Sequence, residues 1–173
     1  MALGVSVRCP RDGGSPDLAN RERPILRSLL DLPPRAARAR FAPGFGTRFL
    51  VTVDTEEEFD WTRPIDRTSH SVDTIADLRK FQQFCEGVGV KPVYLVDYPI
   101  ASSPLAAEIL GDAARSGRCD IGLQLHPWVS PPHLEDVTPA NTFAGNLPPD
   151  LEREKILRLR DRIEQAFGVA PLI

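Results

Sequence analysis

Acidic side chains crowd one short run of this sequence, FLVTVDTEEEFDW, directly after an apolar alternating segment. Five carboxylates fall within the seven positions 54–60. Such a group either forms a solvated loop or takes part in cation binding or proton transfer. Because acidic runs in loops are most often solvated, we expect Glu57 and Glu58 to face water. Asp54 and Glu56 are the candidates to serve a site.

A histidine and two tryptophans are the other candidates for chemistry. His126 lies in the segment QLHPW, where a following proline and Trp128 would hold an imidazole in a stiff, partly apolar setting. A lone histidine at a strand end is usually a hydrogen-bonded structural residue, so both interpretations stay open. Trp61 and Trp128 could provide apolar faces on which sugar rings stack, or could cover the core. His133 is a loop residue or an additional ligand.

Composition excludes several classes of protein. The chain has 173 residues, 42% hydrophobic and 26% charged, which is typical of a globular domain with its own core. The net charge of -3 gives no basic surface for nucleic acid. No apolar stretch reaches the ~20 residues that span a bilayer, and no secretory signal is evident. Three cysteines without C-x-x-C spacing indicate reduced thiols, so we expect a cytoplasmic protein.

The elements that must position the candidate residues begin at about residue 48. Apolar alternation and continuous apolar runs predict strands at 48–54, 91–99 and 119–125. Helical periodicity predicts helices between and after them, at 72–87, 104–116 and 150–167. This order is typical of an α/β fold with a parallel sheet. Ligands gather at the carboxyl ends of such strands, so Asp54, Asp97 and the segment 124–126 should share one edge.

Two of these helices have a clear apolar face. The first helix should bury Val72, Ile75, Leu78, Phe81 and Cys85, and the last Ile156, Leu159, Ile163 and Phe167. Asp150 is the expected N-cap of the last helix and Gly168 its end.

Residues 1–46 differ from the rest of the chain. They contain Gly13-Gly14, Pro33-Pro34 and the run RAARAR without sustained apolar periodicity. We therefore expect a flexible N-terminal arm with room for one short helix at 25–32, followed by a domain at 47–173.

Several motifs together resemble one enzyme family. VTVDTEEEFDW, KPVYLVDYP, CDIGLQLHPWVSPP and NTFAGNLPP, followed by a helix and FGVAP, are similar to the polysaccharide deacetylase (NodB homology, carbohydrate esterase family 4) family, in its WalW-like branch. The resemblance spans about 48–171. It implies a (β/α) barrel, here a partial one of about three βα units. It also implies a divalent metal, usually zinc, whose bound water attacks the N-acetyl or O-acetyl group of a sugar.

The resemblance assigns roles by position. Asp54 would be the catalytic base, and Glu56 and His126 metal ligands. Gln124 stands where the family commonly has a histidine and would be a weaker metal ligand, since an amide oxygen is neutral. We assign Asp97, together with Trp61 and Trp128, to substrate binding.

The resemblance also implies a departure at the end of the chain. The family continues beyond the position of Ile173 into strands that supply an arginine and a general-acid histidine, so we expect a truncated, weakly stable and catalytically poor form. The alternative is a non-catalytic remnant that binds sugar through Trp61 and Trp128 or associates through an open sheet edge. A phosphoacceptor domain of the response-regulator kind would fit Asp54 and Asp97 only superficially.

Overall fold

The structure, a computed structural model, describes residues 35–172. These residues fall into two units that separate between Thr47 and Arg48. The described part of the first unit contains a short 3-10 turn at Arg35–Ala37 and a stacked pair of rings, Phe41 and Phe45, whose centroids are 4.5 Å apart. Most of the predicted arm, including the predicted helix at 25–32, lies outside the described residues.

Strands and helices alternate through the second unit. In chain order they are β1 (Thr52–Thr55), β2 (Glu58–Phe59), β3 (His70–Ser71), α1 (Leu78–Gly87), β4 (Val93–Val96), α2 (Tyr98–Ser102), α3 (Pro104–Arg115), β5 (Asp120–Leu123) and α4 (Pro149–Phe167). β1, β4 and β5 form a parallel sheet in that order, while β2 and β3 pair as a small antiparallel ladder. The α/β class is confirmed. Within residues 35–172 the three-stranded sheet stays open, without barrel closure.

The core lies between this sheet and the helices that flank it. Tyr94 and Val96 of the central strand are fully buried and Val93 on the opposite face is 6% exposed, as expected for a parallel strand covered on both faces. Leu110 of α3 and Ile163 of α4 are also fully buried in the same cluster. At the edge of β5 the backbone N–H of Leu172 donates to the carbonyl of Ile121 at 2.8 Å.

The first strand begins later than predicted. Phe49 and Leu50 are 79% and 67% exposed, and the ladder with β4 begins where Val93 donates to the carbonyl of Val51. The strand itself runs from Thr52 to Thr55. Asp54 therefore lies inside β1 instead of directly after it.

The first helical segment, 72–87, buries Ile75 and Cys85 as predicted, but Phe81 does not join them. A 3-10 turn at Asp73–Asp77 precedes α1, and Phe81 is 36% exposed while Gln82 is buried. Gln82 accepts a hydrogen bond from the hydroxyl of Tyr94 at 2.8 Å. The prediction for Phe81 was wrong because this polar contact directs the glutamine inward.

The last helix confirms most of its predicted face and corrects two positions. Leu159, Ile163 and Phe167 are fully buried, but Ile156 is 37% exposed and Lys155 is buried in its place. Asp150 lies in the first turn, where its charge favours the helix dipole, and the N-cap is Pro148. Gly168 ends the helix as predicted, with a left-handed φ of 73°.

Two further expectations concern thiols and membranes. Cys85 and Cys119 are both buried and free, and Cys9 lies outside the described residues. None of the helices in the described part of the chain combines the length and the apolar character needed to cross a bilayer.

Candidate metal centre

The three parallel strands end side by side, and polar segments follow each of them. In the register of the sheet, Thr55 of β1 lies opposite Val96 of β4, which lies opposite Leu123 of β5. Glu56 and Glu57, Asp97, and the segment 124–126 therefore leave the sheet at one edge. Asp97 and the segment 124–126 share an edge as predicted, but the residues of the first segment that contact them are Glu56 and Glu57 and not the predicted Asp54.

Asp97 joins two of these segments. Its Oδ1 accepts the backbone N–H of Ile100 at 2.9 Å, which caps α2, a short helix that the sequence analysis did not predict. Its Oδ2 accepts the backbone N–H of Glu57 at 2.8 Å. Burial raises the pKa of Asp97 to about 9, and the neighbouring Glu57 carboxylate adds to the rise. Asp97 is thus an interior group, not the accessible substrate-binding residue that we expected.

Glu57 is buried, with 5% of its surface exposed, so the prediction that it faces water was wrong. Thr55 is buried to the same extent, and the alternation of a strand continues from Thr55 to Glu57. That two-residue period is the signal that could have identified it. Glu58, by contrast, is partly exposed and accepts hydrogen bonds from Ser71 and from the backbone of Thr74.

Glu57 is also the residue that faces the imidazole. Its Oε2 lies 2.9 Å from Nδ1 of His126. Burial acts to raise the pKa of Glu57, but hydrogen bonds from His126 and Asp97 outweigh it and lower the pKa. The other oxygen, Oε1, is buried without a hydrogen-bond partner among the described residues. A buried oxygen that lacks a donor is costly and indicates a missing partner.

Together, Glu57, Asp97 and His126 could hold a metal ion. Each offers one ligand atom, and these three atoms lie within 4.8 Å of one another. One imidazole nitrogen and two carboxylate oxygens form a donor set that suits zinc and other divalent transition metals. His126 was a predicted ligand, whereas Glu57 was predicted to face water.

The other ring nitrogen of His126 faces the other predicted ligands. Nε2 lies 3.3 Å from Oε2 of Glu56 and 3.2 Å from Nε2 of Gln124. The Gln124 amide donates to Glu56 at 2.6 Å, and its Oε1 is buried without a partner in the described part of the chain. The structure therefore brings together all three predicted ligands, on the side of the imidazole away from Glu57.

A row of aromatic rings leads from the imidazole to the surface. Trp128 stacks on His126 with centroids 4.6 Å apart and planes inclined by 16°. Phe59 lies 6.4 Å from Trp128 and makes an edge contact with Trp61 at 5.3 Å. Trp128 is only 5% exposed, whereas Trp61 is 72% exposed. Substrate binding by these tryptophans stays a prediction, for which Trp61 has the accessible ring.

Asp54 lies apart from this group. Its side chain is exposed and lines a small pocket of about 90 Å³ together with Glu56, Glu58 and apolar residues that include Ile75. Among residues 35–172, the hydrogen bonds around His126 do not involve Asp54. Its role as a base stays a prediction. His133 is exposed, and it belongs neither to the candidate metal group nor to the pocket beside Asp54.

A second pocket, of about 430 Å³, lies between α1 and α3 and contains none of the residues at the strand ends. Its charges are paired at the surface, as in Arg79 with Glu108 at 3.0 Å and Arg118 with Glu86 at 2.7 Å. Exposed pairs of this kind contribute little and are ordinary on a helical surface. The larger pocket therefore lacks the unusual chemistry of the strand ends.

No protein-family model matches the chain, and neither the curated proteins nor the solved structures contain a match. The likeness to the deacetylase family rests on the sequence motifs alone.

Proposed function

We propose that this chain is a metal-dependent hydrolase that removes acetyl groups from N-acetylated or O-acetylated sugars. The observation that supports it most directly is the buried group of Glu57, Asp97 and His126, which could hold a metal ion. Carboxylates outnumber the imidazole there, and Oε1 of Glu57 has no donor among the described residues. Charges buried in this way normally pair with or coordinate a cation.

The proposed ligands are Nδ1 of His126 and one oxygen each from Glu57 and Asp97. When bound, a divalent ion of this kind supplies a Lewis acid and lowers the pKa of a water molecule to near neutrality. Glu56 then holds the imidazole from its Nε2 side, as carboxylates commonly do behind metal-binding histidines. Zinc is the proposed ion.

The accessible side of the site is the proposed place for substrate. The side chain of Glu56 is 35% exposed, and Asp54 lines the same pocket beside it. Asp54 is the proposed base, because its exposed carboxylate lies next to this opening. Trp61, with its exposed ring, is the proposed platform for a sugar.

Metal titration tests the ion site first. Zinc or cobalt is titrated into the wild-type chain by calorimetry, and we expect micromolar binding. His126→Ala and Glu57→Gln should each weaken it by about 100-fold or more, since second-layer losses alone weaken binding by about 10–100-fold. Glu58→Gln is the matched control, because Glu58 is the next residue and its contacts are with Ser71 and Thr74. Binding that survives Glu57→Gln but is lost in Glu56→Gln would move the ion to the Nε2 side.

Acetate release tests the reaction. The zinc-loaded chain is incubated with N-acetylated chito-oligosaccharides and O-acetylated xylan fragments, and free acetate is measured. We expect release that His126→Ala and a chelator abolish. Metal binding without acetate release from either class of substrate would support the ion site and contradict the deacetylase assignment.

A second candidate function is sugar binding without catalysis. It is favoured by the exposure of Trp61, which is held edge-on by Phe59. Trp61→Ala would then abolish oligosaccharide binding, and a chelator would not change it. Phe84→Ala is the control, since Phe84 is 64% exposed on α1, away from the strand ends.

A further inference from the structure

Lys155 is a charged residue with no exposed surface. It lies on α4 and its ammonium donates to the carbonyls of Pro127 at 3.0 Å, Ser130 at 2.5 Å and Pro132 at 2.7 Å. An ammonium has three N–H donors, so all of them are used by one loop. The loop that follows β5 is therefore wrapped around the head of a single side chain.

This loop begins at the residue after His126. The Pro127 carbonyl bound by Lys155 belongs to the peptide that leads into Trp128, the ring stacked on the imidazole. A shift of this carbonyl would move both rings relative to Glu57. Lys155 thus acts on the backbone beside the candidate metal ligand without touching its side chain.

Glu135 extends the contact to a third part of the chain. Its Oε1 lies 3.1 Å from Nζ of Lys155, and its backbone carbonyl accepts a hydrogen bond from the Arg67 guanidinium. Arg67 also lies 3.7 Å from the same Oε1. Because Arg67 belongs to the segment between β2 and β3, it follows the run of acids that supplies Glu57. The three residues join α4, the loop after His126 and the segment after Glu57.

We propose that Lys155, Glu135 and Arg67 form a positioning junction that sets the distance between His126 and Glu57, and with it the affinity for the ion. This inference rests on the proposed metal site. The apolar stripe of α4 would accept a leucine at position 155, and burial of an ammonium is favourable only where acceptors are fixed in place. Here the fixed acceptors belong to the loop that carries His126.

Two variants and a control test the junction. Lys155→Met removes the ammonium, and Glu135→Gln keeps the lysine and its three carbonyls while removing the buried carboxylate. Arg160→Met is the control, because Arg160 is 47% exposed on the same helix and pairs with Asp161. We expect cobalt affinity to fall about 10–100-fold in the folded junction variants and to stay unchanged in the control. The visible spectrum of bound cobalt should change as well, since it reports ligand geometry.

A second readout does not need the ion. The stacked Trp128 should shift the ring-proton resonances of His126 in the metal-free protein, and this shift should diminish in Glu135→Gln. Wild-type cobalt affinity together with an unchanged His126 shift in a folded Glu135→Gln chain would overturn the junction. If Lys155→Met does not fold, Glu135→Gln decides alone. If the wild type binds no metal, the proposed function fails while the ring shift still tests the positioning.

Discussion

Two buried groups of charges in this molecule differ in the balance between carboxylates and cations. The ammonium of Lys155 meets three carbonyls and lies 3.1 Å from one carboxylate, that of Glu135, which Arg67 also approaches. Around His126, by contrast, the three carboxyl groups of Glu56, Glu57 and Asp97 surround one imidazole. Buried oxygens without hydrogen-bond donors among the described residues occur in both groups, on Glu135 as well as on Glu57, so such atoms alone do not identify a site. The group with the excess of carboxyl groups is the one in which a cation would be favourable.

Removal of the buried Lys155 ammonium should have the largest effect on stability. Lys155→Met leaves Glu135 buried and three carbonyls without their donor, so we expect the free energy of unfolding to fall by about 3–5 kcal/mol. Urea denaturation followed by circular dichroism measures it. The exposed pair broken by Arg160→Met should change stability by no more than about 0.5 kcal/mol. A loss below ~1 kcal/mol for Lys155→Met would show that the ammonium is not needed by the loop.

Binding of an ion to the group around His126 should stabilise the fold. An ion that binds only the folded state adds about 2.7 kcal/mol at a free concentration of 100 times its Kd. Thermal melting with and without zinc should therefore show a rise in Tm for the wild type and none for His126→Ala. An equal rise in both chains would place the zinc elsewhere.

The same group predicts how stability depends on pH without metal. Burial raises the pKa of Asp97 from 3.8 to about 9, so between these values the folded chain keeps a proton that the unfolded chain has lost. The resulting stabilisation is full below about pH 4 and is lost as the pH rises through about 9. We expect the Tm of the metal-free protein to fall from about pH 6 to about pH 9.

Asp97→Asn provides the comparison for this pH series, because an asparagine does not titrate. Its Tm should vary less over the same interval. A wild-type Tm that rises toward pH 9, or parallel curves for the two chains, would show that Asp97 is not protonated in the folded protein.

Ile156 follows Lys155 on α4, and its substitution should have a small effect on the free energy of unfolding. Ile156 is 37% exposed, so Ile156→Ala should cost less than about 1 kcal/mol, although it changes an isoleucine in a predicted apolar stripe. Leu159→Ala, at a fully buried position, should cost about 2–5 kcal/mol. Equal losses of unfolding free energy for Ile156→Ala and Leu159→Ala would support the predicted apolar stripe and contradict the inward position of Lys155.

Local periodicity of apolar residues was sufficient to predict much of the fold. The continuous apolar run around Tyr94, the stripe that ends at Phe167 and the glycine at 168 predicted a buried strand, a helix and its end, because each signal lies within a few residues of the chain. The position of His126 at a shared strand edge followed from the same reasoning. The inward turn of Gln82 and Lys155 did not, since their partners are Tyr94 and a distant loop.

The sequence by itself determined the alternation of strands and helices and the edge at which acids and a histidine would meet. Only the tertiary structure decided which acid faces which nitrogen of His126, with Glu57 at Nδ1 and Glu56 at Nε2. The physical reason is that side-chain pairing depends on the register between strands and on the loops that hold their ends. In this protein a buried lysine on the last helix holds one of those loops, and no local pattern encodes that contact.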